Sequence, residues 1–103
     1  MEDIVIRDFF LGFIKLHILY HSKEEEIYGQ EFQNELARHG YNISFGTLYP
    51  IFHKLEKNGY LSSRKVNVNG KIRKYYSITS KGSRVLEKSK LKAKELFEEL
   101  FEK

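Results

Sequence analysis

The chain has 103 residues, of which 41% are hydrophobic and 31% charged, and these values favour one folded domain over a disordered or multidomain chain. Its 18 Lys and Arg residues exceed its 14 Asp and Glu residues, so the net charge of +4 gives a mild attraction to polyanions. Because the sequence contains no cysteine, disulfide bonds, thiolate metal sites and thiol redox sensing are excluded.

The amino-terminal segment argues against export and membrane insertion. A secretory signal begins with basic residues, whereas here Met1 is followed by Glu2 and Asp3. The apolar stretch that follows is interrupted by charged residues before it reaches the length of a membrane span. We therefore expect a cytoplasmic protein with no membrane partner.

The first predicted helix runs from Ile4 to Tyr20 and is apolar on almost every side. A small domain covers only one side of such a helix, so the pattern predicts a second contact surface, such as another subunit. The polar run from Ser22 to Glu26 that follows is typical of a solvated loop.

Two shorter helices are predicted next. The first is expected from Tyr28 to His39, with Gly40 as its stop signal. The second is expected from Phe45 to Asn58, with Ser44 as its N-cap. Pro50 is unfavourable there because it removes one backbone hydrogen bond. The inward positions of this helix are Leu48, Ile51, Phe52 and Leu55.

A change from helical to alternating periodicity predicts a β-hairpin. Segments 61–68 and 71–78 flank Asn69-Gly70, a dipeptide that accommodates the positive φ angles of a two-residue turn. Between Ser62 and Tyr76 there are basic residues and no acidic residue. The basic residues are Arg64, Lys65, Lys71, Arg73 and Lys74. Such a hairpin suits contact with phosphate groups, but a solvated strand pair with charges that protect its edge is the alternative.

Thr79 is a natural N-cap for a last helix that extends to about Lys103. This helix is roughly 36 Å long, so its far end projects beyond the core of so small a domain. Apolar residues recur along it at three- and four-residue steps and form a stripe that calls for a partner. The stripe contains Leu86, Ala93, Leu96, Phe97, Leu100 and Phe101.

This order of elements predicts a mainly α fold with a two-stranded β-hairpin: a winged helix-turn-helix plus a long carboxy-terminal dimerisation helix. In a single domain spanning residues 1–103, the winged-helix region is expected over about 4–78 and the last helix over about 79–103. The second helix of such a pair enters the major groove of DNA. Two functions remain open: sequence-specific DNA binding by a dimer, and a protein-docking module whose basic hairpin meets an acidic partner.

Two segments resemble the PadR family of transcriptional regulators. Gly46-Thr47-Leu48-Tyr49-Pro50, followed by Leu55-Glu56 and Gly59, is similar to the family's signature in the second helix of the pair. Arg73-Lys74-Tyr75-Tyr76, continuing to Gly82, is similar to the family's wing strand and its entry into the last helix. Together the matches cover roughly residues 9–103 and account for Pro50.

The resemblance implies a homodimeric repressor of the smaller PadR type that binds double-stranded DNA at a palindromic operator. It places these residues at DNA: Ser44, Thr47, Tyr49, Pro50, His53, Lys54, Lys65, Lys71, Arg73 and Lys74. It places the dimer interface at Phe9, Phe10, Phe13, Leu86, Ala93, Leu96, Phe97, Leu100 and Phe101. Some small members bind drug-like ligands through a tryptophan in the last helix. That position here is Ala93, so a small-molecule inducer stays open.

No cofactor, metal or catalytic role is expected. His17 and His21 have the four-residue spacing that zinc sites also use, but partly buried histidines in an apolar helix are the favoured interpretation. The sequence has no glycine-flanked nucleophile and no phosphate-binding loop. We therefore expect no enzymatic activity.

Overall fold

The computed structural model describes residues 3–102 and shows the elements in the predicted order. They are α1 (Ile4–Glu24), α2 (Gly29–Arg38), α3 (Phe45–Lys57), β1 (Leu61–Val68), β2 (Lys71–Ile78) and α4 (Ser80–Phe101). The predicted mainly α fold with a two-stranded antiparallel hairpin is therefore confirmed. Among the described residues, no helix is both long enough and apolar enough to cross a bilayer.

Side-chain caps fix the starts of α3 and α4. Ser44 Oγ accepts the backbone N–H of Thr47 at 3.2 Å, and Thr79 Oγ1 accepts that of Gly82 at 3.0 Å. Each bond satisfies an N–H group that has no partner within the helix. The predicted caps Ser44 and Thr79 are thus confirmed.

Apart from the end of α1, the other helix boundaries that differ from the prediction shift by a residue or two. Tyr28 and His39 flank α2 instead of belonging to it, and Asn58 flanks α3. Residues at these positions make only half of the helical hydrogen bonds, which sequence periodicity does not reveal. α4 ends at Phe101, and the predicted end near Lys103 lies outside the described residues.

The loop predicted from Ser22 to Glu26 is wrong in its first half, because α1 continues through its first three residues. The buried Ser22 hydroxyl donates to the Leu19 carbonyl at 3.1 Å, so this polar group needs no solvent. Lys23 forms an ion pair with Glu87 of α4, with 3.2 Å between Nζ and Oε2. α1 is therefore about one turn longer than the apolar pattern predicts, and this added turn contacts α4.

The hairpin closes with the predicted turn. Asn69 and Gly70 have φ angles of 52° and 85°, which places both in the left-handed region. The segment before α2 adds a short bridge beside β2. There the Ile27 N–H donates to the Tyr76 carbonyl at 3.0 Å, and the Tyr76 N–H donates to the Ile27 carbonyl at 2.7 Å.

The core lies where α1, α2, α3 and the hairpin meet. Phe32 of α2 packs edge-to-face on Phe52 of α3 at 5.8 Å between ring centroids, and Phe52 packs on Tyr76 of β2 at 4.7 Å. α1 contributes the fully buried Ile14 and Ile18. All of the predicted inward positions of α3 are buried: Leu48, Ile51, Phe52 and Leu55. The opposite face of α3 is consequently turned outward.

Three histidines gather where α1 meets the end of α2. The rings of His17 and His21 stack at 5.8 Å, and His39 lies 6.2 Å from His17. Phe13 packs against His17 at 4.4 Å, and Glu35 lies 3.0 Å from His39 Nε2. Burial lowers the pKa of His17. The nearby His21 and His39 lower this pKa further, whereas Glu35 raises it. Within residues 3–102, no group of three or more His, Asp or Glu side chains is arranged to hold a metal ion.

This cluster predicts that acidification destabilises the fold. The unfolded chain binds a proton at His17 with a pKa near 6.5, whereas the folded chain binds it less readily. Lowering the pH from about 7 to about 5 therefore favours unfolding through this residue. Urea unfolding should give a smaller free energy of unfolding at the acidic end, and His17→Gln should flatten that dependence.

His53→Gln is the matched control, because His53 lies on α3 outside the cluster, and it should keep the parent's pH dependence. Carboxylates that are held by hydrogen bonds or ion pairs lose their stabilising effect at a lower pH than the histidines do. The hydrogen bond from Ser63 lowers the pKa of Glu56, so the stabilisation from Glu56 is lost only as the pH falls below 4.5. The same slope between about pH 5 and pH 7 in the parent and in His17→Gln would contradict the prediction.

Candidate nucleic-acid interface

A tight turn sets the angle between α2 and α3. Gly40 follows α2 with a φ of 90°, a conformation that glycine adopts without strain. The side-chain amide of Gln33 donates to the Ile43 carbonyl at 2.7 Å and ties the turn to α2. The next residue, Ser44, caps α3, so the turn is anchored to both helices.

The outer face of α3, together with its cap, carries six of the predicted DNA contacts, and all six side chains are exposed. Ser44 Oγ donates to Thr47 Oγ1 at 3.1 Å, so the two hydroxyls also bond to each other. Pro50 lies within the helix without ending it. The six residues are Ser44, Thr47, Tyr49, Pro50, His53 and Lys54.

The hairpin, termed the wing (residues 61–78), carries its basic residues on both faces. Lys65 and Lys74 lie opposite each other in the strand register. They share the face that holds the buried Tyr76, since side chains alternate along a strand. Arg64 and Arg73 belong to the other face, so the basic residues of the wing occupy two different environments.

Two basic residues of the wing are paired with carboxylates of the same chain. Lys74 Nζ lies 3.1 Å from Glu56 Oε1, and Arg64 donates two hydrogen bonds of 2.7 Å to the Glu26 carboxylate. Ser63 Oγ also donates to Glu56, at 2.5 Å. This bond and the one from Lys74 lower the pKa of Glu56. One carboxylate on α3 thereby holds both strands of the wing.

Arg73 is held by aromatic rings instead. Its guanidinium lies 4.0 Å from the centroid of the Tyr28 ring, and its Nη1 donates to the Tyr75 hydroxyl at 3.3 Å. The bond to Tyr75 raises the pKa of Arg73. Within residues 3–102, no carboxylate forms an ion pair with Lys65, Lys71 or Arg73.

The wing and the start of α3 border one cleft of about 660 Å³, termed the wing–α3 cleft. Sequence reasoning missed Tyr28, Phe45 and Ile72, which also line it. Tyr28 reaches the cleft through the backbone bridge of Ile27, a tertiary contact with no local signal. Phe45 had a signal, because it is an aromatic residue off the inward stripe of α3. The predicted DNA contacts among the lining residues are Tyr49, Lys65, Lys71, Arg73 and Lys74.

A second surface lies between α1 and α4, in a largely apolar groove of about 550 Å³ termed the α1–α4 groove. Phe9, Phe13 and Ala93 of the predicted dimer interface line it. Leu86 lines it too but is buried in the chain's own core, and Phe10 packs against that core. Beyond the groove, the apolar stripe of α4 is 47–68% exposed. The stripe residues concerned are Leu96, Phe97, Leu100 and Phe101.

The helix pair, the basic wing and the long last helix define a winged helix-turn-helix protein, a class that presents its second helix to duplex DNA. The chain belongs to the PadR-like family of transcriptional regulators, whose family model matches residues 18–88. The resemblance noted in the sequence is therefore confirmed. Because the family's role is regulation of transcription, the prediction that the chain is not an enzyme is confirmed as well.

Individual relatives share most of their length with this chain. A transcriptional regulator from Mycobacterium tuberculosis is 39% identical over 95 residues, which cover 92% of this chain and 89% of the relative. The crystal structure of a PadR family transcriptional regulator from Eggerthella lenta has a TM-score of 0.83 at 32% identity, covering 93% of this chain and 85% of that one. A PadR-like transcription factor from Bacteroides fragilis has a TM-score of 0.84 at 29% identity, covering 95% of this chain and 96% of that one.

Proposed function

We propose that the chain is a sequence-specific DNA-binding repressor that acts in the cytoplasm as a homodimer, with α3 in the major groove and the wing on phosphates. The observation that carries this proposal is that the start of α3 and the basic wing border the same cleft. Among the described residues, Lys65, Lys71 and Arg73 form no ion pair with a carboxylate, and Glu31 interacts with Arg73 only electrostatically, so these three charges can bind phosphate. Such contacts position a protein on DNA, while the helix specifies the sequence.

We propose that the homodimer forms through the apolar surfaces of α1 and α4. The α1–α4 groove and the exposed stripe of α4 are both apolar. Ile4 and Val5 at the start of α1 are also apolar and 71% exposed. A twofold axis would place the groove of one copy against the stripe of the other. Two α3 helices would then face a palindromic operator whose half-sites lie about one helical turn, near 10 base pairs, apart.

Electrophoretic mobility shifts on the protein's own promoter region, at several salt concentrations, test the DNA-binding part. We expect a discrete complex whose association constant falls steeply as salt rises, because phosphate contacts release counterions. A complex that is insensitive to salt, or no complex at all, would count against the proposal and favour the protein-docking alternative.

Two single substitutions separate free basic residues from paired ones. Lys71→Ala should weaken binding to specific and random duplexes alike and reduce the salt slope by about 0.9 for each subunit. Arg64→Ala removes the same charge but should leave the slope nearly unchanged, because Glu26 already engages that guanidinium. Fluorescence anisotropy over a salt series measures both slopes.

A third variant tests the role assigned to α3. Thr47→Ala changes the outer face of that helix, so it should alter the preference between duplexes more than the affinity for random DNA. Equal losses on specific and random DNA for Thr47→Ala and Lys71→Ala would show that the outer face of α3 does not read the sequence.

A further inference from the structure

The outer side of α3 carries a row of aromatic rings. Phe45 and Tyr49 are each 48% exposed, and their ring centroids lie 5.9 Å apart. His53 continues the row, 6.4 Å from Tyr49 with its ring nearly parallel. Residues four apart share one side of a helix, so these rings form a continuous surface along about two turns. Large exposed rings in such an arrangement indicate a surface that binds another molecule.

The side chains that make paired hydrogen bonds to bases are absent from α3 up to His53. Residues 44–53 contain no Arg, Lys, Asn or Gln, the side chains that make paired bonds to guanine or adenine edges. The short hydroxyl groups present are those of Ser44 and Thr47. Ser44 Oγ donates to Thr47 Oγ1 and accepts the Thr47 backbone N–H. Gly46 and Pro50 add no side-chain donor. Up to His53, α3 therefore offers duplex DNA a mainly apolar surface, and its long polar groups are the Tyr49 hydroxyl and the His53 ring.

The Phe45 ring is held in place by its packing on α2. A Cβ atom added at Gly29 would lie 2.4 Å from Phe45 Cε1, so the Phe45 ring rests directly on the start of α2. Ile72, at the tip of the wing, is 64% exposed and lines the same cleft. The basic side chains of Lys65 and Lys71 border these apolar groups. An apolar surface bordered by positive charge matches a polyanion that itself carries apolar groups.

We propose that Phe45 and Tyr49 read the C5-methyl groups of thymine in the major groove, so that the operator is specified through methyl contacts. This inference rests on the proposed function, because it assumes that α3 enters the groove. The thymine methyl is the apolar group that a base pair presents there, and apolar side chains contact it directly. Cytosine lacks that methyl group, and so does uracil, which otherwise pairs like thymine.

Uracil substitution tests the inference without altering the protein. The probe is the duplex protected in footprinting of the protein's own promoter, with each thymine of a half-site replaced singly by deoxyuridine. At one or two positions per half-site we expect about a fourfold loss of affinity, the value of one buried methyl-sized group. Anisotropy titration at fixed salt gives the ratio of affinities for the thymine and uracil duplexes.

Protein variants assign the effect to the rings. Phe45→Ala or Tyr49→Ala should bring the thymine-to-uracil ratio close to one, while Tyr49→Phe should keep it, because the ring and not the hydroxyl makes the contact. Lys71→Ala is the matched control and should weaken binding to both duplexes with the ratio unchanged.

Failure of this inference differs from failure of the proposed function. Specific binding that is equally tight on thymine and uracil duplexes at every position overturns the methyl contacts and leaves DNA binding intact. Loss of the ratio in Tyr49→Phe also overturns it, because the discrimination would then depend on the hydroxyl and not on the ring. Absence of binding to every duplex overturns the proposed function, and the inference with it.

Discussion

Gly82→Ala should destabilise the protein by about 3 kcal/mol and lower its unfolding midpoint by more than about 10 °C. Gly82 is buried in the first turn of α4, where a Cβ atom would lie 2.2 Å from the Tyr60 carbonyl oxygen and 2.8 Å from Ile78 Cγ1. The first of these is a backbone atom, which has no rotamer to adopt. The start of α4 would have to move away from the end of α3 and the wing.

That displacement would break several contacts at once, because three elements meet at this point. The Thr79 N–H donates to the Tyr60 carbonyl at 3.1 Å, and the Thr79 hydroxyl donates to the Gly59 carbonyl at 2.6 Å. Lys81 Nζ donates to the Asn58 carbonyl at 2.9 Å. These bonds fix the direction of α4 relative to α3. In the proposed dimer, that direction also sets the distance between the two DNA-reading helices.

Gly46→Ala is the matched control, because it makes the same chemical change in the first turn of another helix. The nearest atom to a Cβ there is Ser44 Oγ at 3.7 Å, an ordinary contact. Alanine favours a helix over glycine, so this variant should be unchanged or more stable by up to about 1 kcal/mol. Urea and thermal unfolding at one protein concentration compare the variants. A Gly82 variant as stable as the Gly46 variant would contradict the close approach of Tyr60.

Features of the fold that depend on neighbouring residues could be predicted from the sequence. Asn69-Gly70 needs only its own backbone preferences to form the turn, and Ser44 and Thr79 need only the N–H group three residues ahead. The extension of α1 could not be predicted, because the partner of Lys23 is Glu87, 64 residues away. Propensity arguments contain no information about such distant contacts.

The same limit applies to the candidate site. The count of basic residues in the wing is visible in the sequence, but which of them are paired is not. Arg64 meets Glu26, from a segment predicted to be solvated, and Lys74 meets Glu56 from α3. Each pair joins segments whose proximity is a result of folding. The sequence therefore predicted a basic wing, but it did not show that two of its charges are already paired within the chain.

Phe97→Glu should convert the proposed dimer to a monomer at micromolar concentration and weaken operator binding by at least about 100-fold. Phe97 is 62% exposed and packs on Phe101 at 4.8 Å within the apolar stripe of α4. In a twofold interface each substitution occurs twice, so two carboxylates would enter an apolar contact without partners. Losing the partner also removes the gain in affinity that comes from binding two half-sites together.

Leu91→Glu supplies the matched control on the same helix. Leu91 is 69% exposed, receives the same change of charge, and lies about 120° around α4 from Phe97, away from the α1–α4 groove. It should remain a dimer by light scattering and bind the operator with unchanged affinity. If Phe97→Glu also remains a dimer, the stripe is not the interface. If it becomes a monomer that still binds the full operator tightly, one α3 helix and one wing suffice, and the palindromic arrangement is wrong.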